Sequence, residues 1–125
     1  MTIIEAIGRV DNIKPNQYSE TDKIAWLSHI DGIIKAKVYD THQGEVVTFN
    51  GYDENTDVYN TQLLFKAPYD QLYIHWLSAQ IDLANGETNR YNVEITLFNT
   101  YLEDYTKSYT RKFLHTAPLR NEFLF

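Results

Sequence analysis

Asp53, Asn55 and Asp57 occupy alternate positions in the stretch NGYDENTDVYN. A calcium loop begins with this spacing, because side-chain oxygens two residues apart converge on a hard cation. The pattern then stops, since Val58 stands where the turn needs glycine and Leu64 stands where a closing glutamate would bind. The stretch reads as a solvated acidic loop. His29, His42, His75 and His115 are scattered without the i, i+4 spacing or neighbouring ligands of a zinc site. The chain has no cysteine, which removes thiolate metal sites, disulfides and cysteine nucleophiles. Its five glycines are isolated, so no phosphate-cradling loop is present, and Ser19, Ser28, Ser78 and Ser108 lack a nucleophile-elbow context. Asp82, Glu87 and Glu94 are spaced to form a general acid and base pair, but an acidic helical chain supplies such spacings throughout. No reaction, cofactor or metal is indicated, and a non-enzymatic role is expected.

The elements that would position these groups are mostly helices. Between Glu87 and Phe113 the apolar residues Tyr91, Ile95, Phe98, Leu102, Tyr105 and Tyr109 recur at gaps of four and three, a core stripe on one helical face. From Tyr91 to Phe113 such a helix would be about 33 Å long. Before it, Thr2 with Glu5 has capping-box spacing and opens a short helix over about 3–12, with Ile4, Ile7 and Val10 inward. Ser19 with Asp22 opens a second over about 20–39, with Leu27, Ile30, Ile34 and Val38 on one face. A third, over 68–84, starts at Pro68 and presents Tyr69, Leu72, Trp76, Ala79 and Leu83. Asn85-Gly86 separates it from the long helix. Arg90 with Glu94, and Glu103 with Lys107, are spaced to pair on that helix's exposed face.

Residues 41–66 differ in character. The β-branched and aromatic runs EVVTF and TQLLF flank a turn-rich loop, which predicts a short β-hairpin or extended arm. Pro118 stops helix formation and leaves a tail, 114–125, ending in Phe123, Leu124 and Phe125. The expected fold is mainly α: one domain over 1–125, a four-helix antiparallel-type bundle with a long C-terminal helix and the arm inserted between helices two and three.

The net charge of −6, from 17 acidic and 11 basic residues, disfavours a protein whose main work is neutralising phosphates. The charge is unevenly spread. Residues 40–104 hold eleven acids against Lys66 and Arg90, whereas 107–125 hold Lys107, Arg111, Lys112 and Arg120 against Glu122. Such asymmetry orients a molecule toward a partner or toward copies of itself. The first residues, MTIIEAIGRVDNIKP, lack the uninterrupted apolar core of a signal peptide, and no stretch approaches a membrane span, so no membrane association is expected.

One family resemblance covers most of the chain. Pro68-Tyr69, Tyr73, the Glu87 after Asn85-Gly86, Arg90-Tyr91-Asn92 and Phe98-Asn99 resemble the C-terminal half of the small head-tail connector proteins of tailed bacteriophages and prophages of Gram-positive hosts, also called adaptor or head-completion proteins. Val10-Asp11, Lys14-Pro15-Asn16, Trp26-Leu27 and Asp31-Gly32 resemble their N-terminal part. The resemblance implies a virion structural protein at the head-tail interface, made in the host bacterial cytoplasm. It implies a homo-oligomeric ring, commonly a dodecamer, beneath the portal protein. Such a ring docks the next connector or tail protein, and DNA passes through it without sequence-specific binding during packaging and ejection. On composition, the candidate assembly contacts are Val46, Val47, Phe49, Tyr52, Tyr59, Leu64 and Phe65 in the arm, and Arg120, Phe123, Leu124 and Phe125 in the tail. The alternatives are a soluble helical binding or regulatory module and a tail-completion or stopper protein in the same assembly.

Overall fold

Thr2 and Glu5 set the first helix in register. In the computed structural model, which describes residues 1–41 and 47–114, the Thr2 hydroxyl accepts the Glu5 N–H at 3.3 Å and the Glu5 carboxylate accepts the Thr2 N–H at 2.8 Å. These bonds, the Thr2 N–H first, hold the Glu5 carboxyl below its usual range. Helix α1 (Ile3–Ile13) buries Ile3, Ala6, Ile7 and Val10. In α2 (Glu20–Ile34) the Ser19 hydroxyl caps the Asp22 N–H at 3.2 Å, and Ile24, Leu27, Ile30 and Ile34 turn inward. The chain continues into a π-helical turn, Lys35–Tyr39, that delivers Val38 and Tyr39 to the core. Lys23 ties α2 to α1 through Asp11 at 2.7 Å.

After a short 3-10 turn at Tyr69–Gln71, α3 (Leu72–Ala84) is the central element. It touches α1, α2 and most extensively α4. Consequently Leu72, Tyr73, Ile74, Leu77, Ser78, Ala79, Ile81 and Asp82 are all buried. A single apolar face is therefore too narrow a description of α3, and Leu83, expected inward, is 56% exposed at the helix end.

A Schellman motif separates α3 from α4 (Thr88–Leu114). The Gly86 N–H bonds the Leu83 carbonyl at 3.1 Å, the Glu87 N–H bonds that of Asp82 at 2.8 Å, and Gly86 takes φ +76. Glycine fits that left-handed position without a Cβ clash. Helix α4 then lies along α3 on the predicted stripe: Phe98 and Tyr109 are buried, while Tyr91, Ile95, Leu102 and Tyr105 are half-buried. Phe98 packs on Trp76 at 5.1 Å between ring centres, and Tyr105 stacks on Phe65 at 3.9 Å.

The described residues show no β-hairpin. Among the described residues there is no strand, only an isolated antiparallel bridge between Thr2 and Gln62. The reason lies in where the backbone groups of 58–65 find partners. The first N–H groups of a helix have no acceptor within it, and those of Ile3 and Ile4 take the Thr61 and Val58 carbonyls at 3.2 and 3.1 Å. The Leu63 N–H in turn bonds the Met1 carbonyl at 3.0 Å. Residues 61–63 thus pair with the start of the chain instead of with 47–49, and Leu63 and Phe65 lie in the core.

Candidate assembly surface

A charged residue on an apolar helical stripe needs buried partners. Asp31 is such a residue, lying among Leu27, Ile30 and Ile34 on the inner face of α2 with no exposed surface. Its Oδ1 accepts the Tyr73 hydroxyl at 2.6 Å, and its Oδ2 accepts the Tyr52 hydroxyl and the Leu64 N–H, the latter at 3.2 Å. Tyr73 also accepts the Phe65 N–H at 2.9 Å. One carboxylate therefore fastens residues 52, 64 and 65 to α2 and α3. Burial pushes the Asp31 carboxyl above its ordinary range, although the Tyr52 and Tyr73 hydroxyls and the Leu64 N–H all favour its charged form. The Tyr73 hydroxyl is likewise pushed up, by burial first and then by the neighbouring Asp31 charge. With no exposed surface, Asp31 is placed to hold the fold and cannot touch a substrate.

This node changes the reading of the arm. Phe65 is fully buried in its own subunit and has no surface for a neighbour. Leu64 and Val47 are half-buried against the same core. Tyr52 is half-buried with its hydroxyl on Asp31, its N–H bonds the Ser28 hydroxyl at 3.0 Å, and its ring meets Phe49 at 5.0 Å. Of the proposed arm contacts that the structure describes, Tyr59 alone is largely exposed, at 72%. Val46, Arg120, Phe123, Leu124 and Phe125 lie outside the described residues.

The residues weighed for chemistry are also placed. Asp53 accepts the Asn55 N–H at 2.8 Å and Asp57 accepts the Tyr59 N–H at 3.1 Å, so both carboxylates order their own loop. The Asn60 side-chain amide, first, and the Tyr59 and Asn60 N–H groups hold the Asp57 carboxyl low. His29 stacks on Trp76, and His75 stacks on Tyr101. Glu94 meets His75 Nδ1 at 2.8 Å instead of the expected Arg90, which lies 3.3 Å from Glu87. Geometry decides this, because His75 faces α4 across the seam while Arg90 points outward, 69% exposed. Glu103 and Lys107 do approach, at 3.5 Å. Among the described residues, no three potential metal ligands cluster, and no helix is long and apolar enough to cross a membrane.

What remains uncovered is the outer side of α4. Over its first half the exposed residues are Thr88, Asn89, Arg90, Asn92, Val93, Thr96, Leu97, Asn99 and Thr100, with Arg90 the single charge. A solvent-facing helix is ordinarily charged there, and interface cores are depleted in charge. The Thr96 and Thr100 hydroxyls turn back to the Asn92 and Thr96 carbonyls at 2.8 and 3.0 Å, which leaves fewer donors for water. Val93 and Leu97, one turn apart, are 61% and 41% exposed. Beside Val93 a groove of about 410 Å³ runs between the end of α1, α3 and the start of α4, lined by Lys14, Asp82, Asn89, Arg90 and Glu94. Lys14 donates to Asp82 Oδ2 beneath it. Val93 and Leu97 fall off the heptad stripe, so apolar periodicity does not mark this face. Their signal was two aliphatic residues on an otherwise neutral outer face.

No protein-family model, curated protein or solved structure matches the chain.

Proposed function

We propose that the chain is a virion structural protein whose copies form a ring joining the portal at the capsid vertex to the tail and continuing the DNA channel. The observation that carries the self-assembly part of this reading is the charge-poor outer face of α4, with Val93 and Leu97 exposed outside the packed core of the described residues. The phage setting rests on the resemblance of 67–111 and of the N-terminal motifs to connector proteins. The acidic balance suits a channel through which DNA passes, since few cations are available to grip phosphates. In this role the subunit performs no reaction, and its partners are its own copies, the portal protein and the next connector or tail protein.

The test is reconstitution. Purified protein is mixed with portal rings and neighbouring tail components, and the product is examined by electron microscopy and mass measurement. A ring of defined copy number, commonly twelve in the family resembled, is expected on the portal. A chain that stays monomeric or dimeric under these conditions, and is absent from purified particles, would instead be a soluble binding module.

A further inference from the structure

The outer face of α4 carries its charges symmetrically about one leucine. Arg90, Leu97 and Asp104 are seven residues apart, so they follow one another at about two-turn intervals along one exposed line of the helix. Leu97 lies midway, with a cation before it and an anion after it. Val93 and Thr100 lie beside this line, and the Thr96 and Thr100 hydroxyls are bonded within the helix. Between Arg90 and Asp104 the exposed side chains carry no charge until Glu103, which meets Lys107 of its own helix at 3.5 Å.

We propose that this face pairs with the same face of a second copy, the two α4 helices running antiparallel about a two-fold axis at Leu97. Leu97 then meets its own counterpart, Val93 packs beside Thr100 of the other copy, and Arg90 comes opposite Asp104 at both ends. Lys107 also comes level with Glu87, each being ten residues from Leu97.

Charge selects this orientation. Parallel helices in register would set Arg90 against Arg90 and Asp104 against Asp104, and like charges across a contact are unfavourable. The antiparallel pair replaces both repulsions with attractions. The contact is short, since the line from Arg90 to Asp104 covers about 21 Å at ~1.5 Å per residue. One helix face of that length is smaller than a standard stable interface, so the pair is weak and exchanges readily. A two-fold contact closes at two copies and does not propagate around a ring. The pairing therefore belongs to the unassembled chain, where it covers Val93 and Leu97, and it opens before the same face enters any larger assembly. It stands independently of the ring reading.

The full-length chain without partners should show a reversible monomer–dimer equilibrium by analytical ultracentrifugation over roughly 10–500 μM. Arg90→Asp should weaken the pair about tenfold, because it sets acid against acid at both ends. Adding Asp104→Arg to the same chain should restore it, a rescue that loss of the Arg90–Glu87 contact within one copy would not allow. Circular dichroism checks that both variants are folded. Because the chain has no cysteine, introduced ones locate the axis. With a short bis-maleimide, Leu97→Cys should link to itself faster than Tyr59→Cys, which is 72% exposed on another segment. Arg90→Cys mixed with Asp104→Cys should link to each other faster than either links to itself. A chain that stays monomeric throughout this range overturns the proposal, as does Leu97→Cys reacting no faster than Tyr59→Cys. Self-linking of Asp104→Cys ahead of the mixed pair would mean a parallel contact and overturns it too. None of these measurements uses the portal, so their failure leaves the ring reading to its own test.

Discussion

Asp31 is the residue on which the middle of the chain depends, and its titration has a definite sign. Burial raises its folded-state pKa above the ordinary value of 3.8. Its contribution to stability is therefore fully present below about pH 4 and is lost as pH rises through the folded value. The amide in Asp31→Asn does not titrate. In urea unfolding at pH 4 and pH 7, the wild type should lose stability relative to this variant at the higher pH, the other carboxylates cancelling between the two proteins. A gap that stays constant or widens in the wild type's favour would show that the three donors outweigh burial. Phe98 tests the opposite kind of residue, an apolar ring 5% exposed and packed on Trp76. Phe98→Ala should cost about 3–5 kcal/mol of unfolding free energy, from lost transfer and the cavity left behind. A loss well below 1 kcal/mol would mean that the α3–α4 seam collapses to fill the site.

At the scale of elements, α3 and α4 divide the work. Helix α3 is buried around its circumference and holds the subunit together, while α4 commits one face to α3 and leaves the other to solvent. Val93→Glu with Leu97→Glu adds two charges to positions that touch little of the core. Surface changes of this kind usually alter stability by less than about 0.5 kcal/mol, so the thermal transition of the monomer should hardly move. Assembly should fail, because like charges then sit in the middle of the proposed contact. Sedimentation of the variant with portal rings checks both statements, and full assembly of this double variant would remove the α4 outer face from the interface. The 47–66 segment, by contrast, is bound into its own subunit through Asp31 and the start of α1, so its aromatic residues serve the fold before any partner.

For the whole molecule, the proposed ring gives the C-terminal sequence a role that truncation tests. Deleting Asn121–Phe125 should leave the monomer folded, with an unchanged helical signal and melting transition, while weakening ring formation on the portal. Unfolding of this truncated chain would place the tail in the subunit core. The sequence by itself determined the four helices, the two hydroxyl caps and the inward stripe of α4, because each depends on residues within about four positions of one another. Thr2 needs only Glu5, and Phe98 needs only Ile95 and Leu102, one turn away on either side. Tertiary structure alone decided that 61–63 would pair with the start of the chain instead of with 47–49, that α3 would be central, and that Glu94 would meet His75. It also decided that Asp31 would gather donors from positions 52, 64 and 73. These outcomes depend on groups far apart in sequence competing for the same buried donors and acceptors, a contest settled only when the helices pack.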